Sequence, residues 1–191
     1  MPKEQSFWFP VHEAGHIIIA MAFGFIPNYA ILKFNSNGTA RAYTSMPSPR
    51  CTTSDQEVKM ACGGMAAEIL IFRENERHVL EADFISACFN RSRDDRRRFF
   101  ENVDARSMNV IGEEAEDKLM LEFSMKNALP IIERERSKFD VIRSHLAKQS
   151  FIATASLECI SQGGVPGEHE LALDHVQLPA NHPAWNVPQP V

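Results

Sequence analysis

The chain has 191 residues, 44% of them hydrophobic and 24% charged, with a formal net charge of −5 at pH 7. That length fits one domain with an extension, and its apolar content suffices for a proper core without a disulfide framework. The acidic balance argues against a general nucleic-acid binder, whose phosphate contacts need a basic surface.

Residues from about Pro10 to Phe25 read as a helix, with proline in the first turn, Val11, Ile18, Ile19, Ala22 and Phe23 on one apolar side, and Gly24 and Pro27 ending it. The apolar run Ile17 to Ile26 falls far short of the roughly 20 residues of a membrane helix and lacks the flanks of a signal peptide, so no membrane insertion is expected. Ala30 to Phe34 and Thr39 to Tyr43 are β-prone runs joined by Asn35-Ser36-Asn37-Gly38, a hairpin signal. Thr44 to Thr53 reads as loop. Ser54 with Glu57 resembles a capping box opening a helix to about Phe72, whose Gly63-Gly64 pair implies close packing against another element.

A third helix is expected from about Asp83 to Phe100, and helical pattern returns from Glu113 to about Lys148. Pro130 should kink or divide that segment, and Leu119, Phe123, Ile132, Phe139, Ile142 and Leu146 lie near one face. A short helix is expected from Thr154 to Ser161. Residues 1–162 thus form one α+β domain, mainly helical, with a small hairpin or sheet beside the first helix. Residues 163–191 hold five prolines and no lysine or arginine, and read as an extension that is either laid over the domain, with Trp185 as the docking residue, or disordered. The four cysteines (Cys51, Cys62, Cys88, Cys159) form no CxxC pair and read as reduced thiols, which points to the cytoplasm.

The chemistry centres on His12-Glu13-Ala14-Gly15-His16. Histidines four apart on a helix lie one turn apart on one face and can reach a single zinc ion. Zinc lowers the pKa of a bound water and polarises a carbonyl, while Glu13 can take the water's proton and hand it to a leaving amine. The bland alternative is three surface residues matching a short pattern by accident; their place on an independently legible helix favours the metal. A third ligand is needed, and Glu68, Glu81, Asp83, His78, His145, His169, His175 and His182 are candidates that spacing alone does not separate. The acids at the boundary of the second and third helices are the better placed. The arginines at 91, 93, 96, 97 and 98, interrupted by Asp94 and Asp95, read as a solvated face of acid–base pairs, with an RNA- or membrane-surface patch as the alternative. The strand pair could offer a free edge for an extended peptide.

The segment Val11 to Ala20 resembles the zinc helix of the FtsH-type ATP-dependent metalloproteases. Gly63-Gly-Met-Ala-Ala-Glu68 resembles their Gly-Gly-x-x-Ala-Glu helix, and Glu81-Ala-Asp83 with Ala87 and Arg91 is similar to the stretch holding their aspartate ligand. The resemblance covers roughly residues 8 to 161. It implies His12, His16 and Asp83 as zinc ligands, Glu13 as general base and acid, and Glu68 as the acceptor that orients a ligand histidine. It also implies a peptide or protein substrate, self-association, and an ATPase. The sequence contains no phosphate-binding Gly-x-x-x-x-Gly-Lys-Ser/Thr, so any motor would come from a separate chain, and unfolded segments or one specific partner are the expected substrates. The rival expectation is a catalytically silent, zinc-containing regulatory or binding protein.

Overall fold

The computed structural model describes residues 2–34, 40–47, 52–75, 81–103 and 112–166. The hairpin loop Asn35 to Gly38 and all but the first four residues of the extension, Trp185 included, lie outside them. The fold is α+β and mainly helical, with a small three-stranded antiparallel sheet.

Helix α1 (Pro2–Ala22) starts well before Pro10, which therefore sits inside the helix and not in its first turn. It ends sooner than expected. Gly24 adopts φ 81°, and the Gly24 and Phe25 N–H groups donate to the carbonyls of Met21 (2.9 Å) and Ala20 (3.0 Å). This pairing closes a helix end through one left-handed residue, a conformation glycine adopts without Cβ strain. From Pro10 to Ala20 every residue is buried, so α1 is a central helix enclosed on all sides and not one with a single apolar stripe. Helices α2 (Ser54–Glu74) and α7 (Arg136–Gln149) and strand β2 (Ala40–Ser45) are its main neighbours. Ile17, Ile18 and Ile19 are essentially inaccessible, each contributing about 1.5–3 kcal/mol by leaving water.

Strands β1 (Tyr29–Phe34) and β2 (Ala40–Ser45) pair antiparallel, with Ala30 opposite Thr44. Strand β3 (Phe151–Ala153), which the sequence did not suggest, joins the other side of β1. The order β2-β1-β3 leaves β2 on an edge. Helix α2 (Ser54–Glu74) begins one residue earlier than the expected capping box. Thr53 Oγ1 accepts from the Gln56 N–H (3.3 Å) and Gln56 Oε1 from the Thr53 N–H (3.0 Å).

The expected single helix from Asp83 to Phe100 is two helices, α3 (Ala82–Arg91) and α4 (Arg93–Asn102), broken at Ser92. Helix α5 (Glu113–Phe123) runs through a π-helical segment, Ser124–Ala128, into α6 (Leu129–Arg134). The wider turn lies just before Pro130, which has no N–H to give the helical ladder, so backbone pairing shifts where the proline enters. Helix α7 (Arg136–Gln149) then returns, and Ile132, Phe139, Ile142 and Leu146 are fully buried. Helix α8 (Thr154–Ser161) has the expected bounds. No helix among the described residues is long and apolar enough to cross a membrane.

Candidate metal centre

Gly15 and Gly63 set how close the two helices at the site come. A Cβ at Gly15 would lie 2.2 Å from the Gly63 carbonyl oxygen, and one at Gly63 would lie 2.9 Å from that of Gly15. Only glycine allows α1 and α2 to touch backbone to backbone there. Gly64 leaves room for the His12 ring, since a Cβ would fall 2.3 Å from Nε2. The paired glycines of α2 thus shape the space in which His12 stands.

His12 and His16 stand one turn apart with ring centroids 4.8 Å apart. Their Nδ1 atoms point outward to acceptors: His12 Nδ1 donates to Glu68 Oε1 (2.8 Å), and His16 Nδ1 to the Met60 carbonyl (2.8 Å). Their Nε2 atoms converge on one oxygen, Asp95 Oδ2, at 3.0 and 3.3 Å. All three residues are buried. Asp95 is the third residue of α4, where the helix N-terminus favours negative charge.

Burial works against charge on both histidines, but bonds to Asp95 and Glu68 outweigh it at His12, whose pKa is pushed up to about 10. His16 is raised as well, against burial, by the charge of Asp95 and the bond to it. Burial likewise opposes ionisation of Asp95, yet the two imidazoles hold its carboxyl well below the usual carboxylate range. Glu68 is lowered in the same way, against burial, by His12 and Arg91.

Of the expected site residues, the structure brings together His12, His16 and Glu68, with Glu13 on the same turn of α1. Glu13 is buried, and its Oε2 accepts a hydrogen bond from the Thr44 hydroxyl on β2. Asp83 stands apart from them. It is exposed in the first turn of α3 and is not part of the group His12, His16, Asp95. Glu81 is also exposed, and His145 is buried in α7, outside that group. His78, His169, His175 and His182 lie outside the described residues.

Sequence reasoning missed Asp95 and Thr44. The arginine run is only partly the solvated face expected of it. Arg93, Arg97 and Arg98 are exposed, and Arg96 pairs with Glu116 (2.7 Å) and Asp117 (2.9 Å), but Asp95 points inward and Arg91 binds Glu68. The distinguishing pattern lies in burial rather than in residue type. Cys88, Ser92, Asp95 and Phe99 are all buried and recur at intervals of four, three and four, the period of one helical face. An aspartate on such a buried stripe needs a partner.

The donor set fits a zinc ion. The two Nδ1–H groups are anchored, which leaves Nε2 of each ring to face the centre. Tetrahedral bonds of about 2.0–2.1 Å imply ligand atoms roughly 3.3 Å apart, close to the separations seen between each Nε2 and Asp95 Oδ2. Two imidazoles and one carboxylate are also the number and type of protein ligands that leave one position of a tetrahedral zinc open. No protein-family model and no curated protein sequence matches the chain.

Proposed function

We propose that the chain is a zinc-dependent metalloendopeptidase in which His12, His16 and Asp95 hold the metal and Glu13 moves the proton. The observation that carries this reading is the convergence of both Nε2 atoms on Asp95 Oδ2, beside a buried glutamate of the same helix. Zinc bound there would polarise the scissile carbonyl and acidify the attacking water. Glu13 would accept the proton of the attacking water and hand it to the leaving amine nitrogen, with the Thr44 hydroxyl orienting its carboxylate. Strand β2, at the sheet edge and in contact with Glu13 through Thr44, is the surface on which an extended peptide would pair by its main chain. Main-chain pairing tolerates many sequences, which suits unfolded segments, peptides or one flexible partner.

The reading keeps the resemblance to FtsH-type peptidases, with Asp95 taking the role first expected of Asp83. The free thiols of Cys62, Cys88 and Cys159 support a reducing, cytoplasmic setting. The rival reading is a catalytically silent zinc protein that holds the same ligands without turnover.

The deciding experiment is hydrolysis of casein or a peptide library by the wild type and by Glu13→Gln, with zinc measured in both. The proposal expects close to one zinc per chain in each and peptide cleavage only in the wild type. Equal cleavage by Glu13→Gln would remove the mechanism, and zinc without any cleavage would leave the silent protein.

A further inference from the structure

We propose that Arg91 is a positioning residue of the metal centre, fixing the His12 ring by clamping Glu68. The inference rests on the metal reading above. Glu68 lies at 0% exposure in the middle of α2, and among the described residues every group bonded to it comes from another helix. Arg91 Nε reaches both carboxylate oxygens, at 2.9 and 3.1 Å, and its Nη2 also bonds Oε2. Cys88 Sγ donates to Oε2 at 3.0 Å, and His12 Nδ1 to Oε1 at 2.8 Å. A carboxylate offers about four lone-pair sites, so these four donors fill it.

The division of labour follows from the geometry. A guanidinium is planar and rigid, and contact with both oxygens fixes the plane of the carboxylate as well as its position. The thiol fills Oε2, and the direction left open at Oε1 faces His12. Arg91 is seated at its other side too, with its guanidinium carbon 5.5 Å from the centroid of the Trp8 ring. Trp8 and His12 are four residues apart on α1, so they share a face. The arginine of α3 therefore lies against α1 twice, directly through Trp8 and indirectly through Glu68 and His12. This matters for α3 itself, in which Cys88 is the only buried residue. Loss of the fork would free the Glu68 carboxylate to rotate, and the His12 ring with it, so that Nε2 no longer aims at the point it shares with His16.

The test uses Arg91→Met, which keeps the stem and removes the fork, and Arg91→Lys, which keeps a point charge unable to span two oxygens. Three quantities are measured on the full chain: zinc affinity by chelator competition, the visible absorption of the cobalt(II)-loaded protein, and the melting temperature of the metal-free protein. Arg91→Met should weaken zinc by about 10–100-fold and alter the cobalt bands, the usual scale for a partner behind a ligand. Arg91→Lys should recover part of the loss. A folded Arg91→Met protein with wild-type zinc affinity and cobalt spectrum overturns the proposal, whatever its melting temperature, because Arg91 would then serve stability alone. If Arg91→Met does not fold, Arg91→Lys decides on the same two readouts. A wild type that binds neither metal overturns the metal reading and this proposal with it; wild-type binding with unchanged variants overturns only the proposal.

Discussion

Two buried imidazoles share one oxygen of Asp95, and such a triad can be held together either by protons or by a divalent cation. The two states respond to pH in opposite directions. In the metal-free protein His12 has its pKa raised from 6.5 to about 10, so its bonds to Asp95 and Glu68 stabilise the fold fully below pH 6.5. That contribution is lost as pH rises from there through about 10. Zinc must displace those protons, so its affinity should rise over the same window, with protons released on binding. Calorimetric titration of zinc in buffers of different ionisation enthalpy checks the release; zinc uptake without it would mean that the histidines are not the ligands. Asp95→Asn should abolish tight zinc binding, whereas Asp83→Asn should leave it unchanged, and metal analysis of the two purified variants separates them. The contrast also shows what the residue pattern could convey. Histidines four apart have one geometric meaning on a helix, so His12 and His16 were legible as a pair, whereas Glu68 as their acceptor was implied only by the family resemblance. Asp95 was hidden because an acid among arginines ordinarily pairs in solvent, and only the buried period through Cys88, Ser92 and Phe99 distinguishes it.

Helix contact at the site depends on three glycines with separable tasks. Gly15 and Gly63 let the backbones of α1 and α2 meet, while Gly64 clears the His12 ring. Gly63→Ala would gain up to about 1 kcal/mol of helix propensity but must push a Cβ against the backbone of α1. Backbone yields poorly, so a net destabilisation of about 1–3 kcal/mol is expected from overpacking, read from urea melts of the metal-free protein. Gly64→Ala meets a side chain instead, and its main effect should be weaker zinc binding from a displaced His12. Zinc affinity equal to wild type in Gly64→Ala would show that the ring has room elsewhere. The glycine pair signalled this packing in the sequence, since two residues of poor helix propensity in a helix interior need a steric reason. Other element-scale features had no such signal. The break at Ser92 falls among residues that tolerate helix, and β3 is three residues long, too short to show alternation. Pro10 looked like a helix start because proline favours the first turn, but the helix carries it internally.

Across the whole molecule, the site gathers groups from elements far apart in the chain: the histidines from α1, the acceptor from α2, Asp95 from α4, and Thr44 from the edge strand β2. A metal bound there would tie α4 to α1, but it would not create the core. The largest inaccessible side chains, among them Ile17, Met65, Phe139 and Leu146, join α1, α2 and α7 through apolar contact that needs no ion. Zinc should therefore stabilise by mass action and not by nucleating the fold. At a free zinc concentration of 100 times its dissociation constant the gain is about 2.7 kcal/mol. For a domain of this size that corresponds to a rise in melting temperature of roughly 5–10 °C. Chelation should lower the melting temperature by this amount, leave the far-ultraviolet circular dichroism at 25 °C unchanged, and be reversed by added zinc. Loss of helical signal on chelation at 25 °C would instead make the metal part of the framework, as in small zinc folds that do not form without it. That outcome would count against a centre built for turnover, because such a centre must keep one metal position open while the protein around it holds its shape unaided.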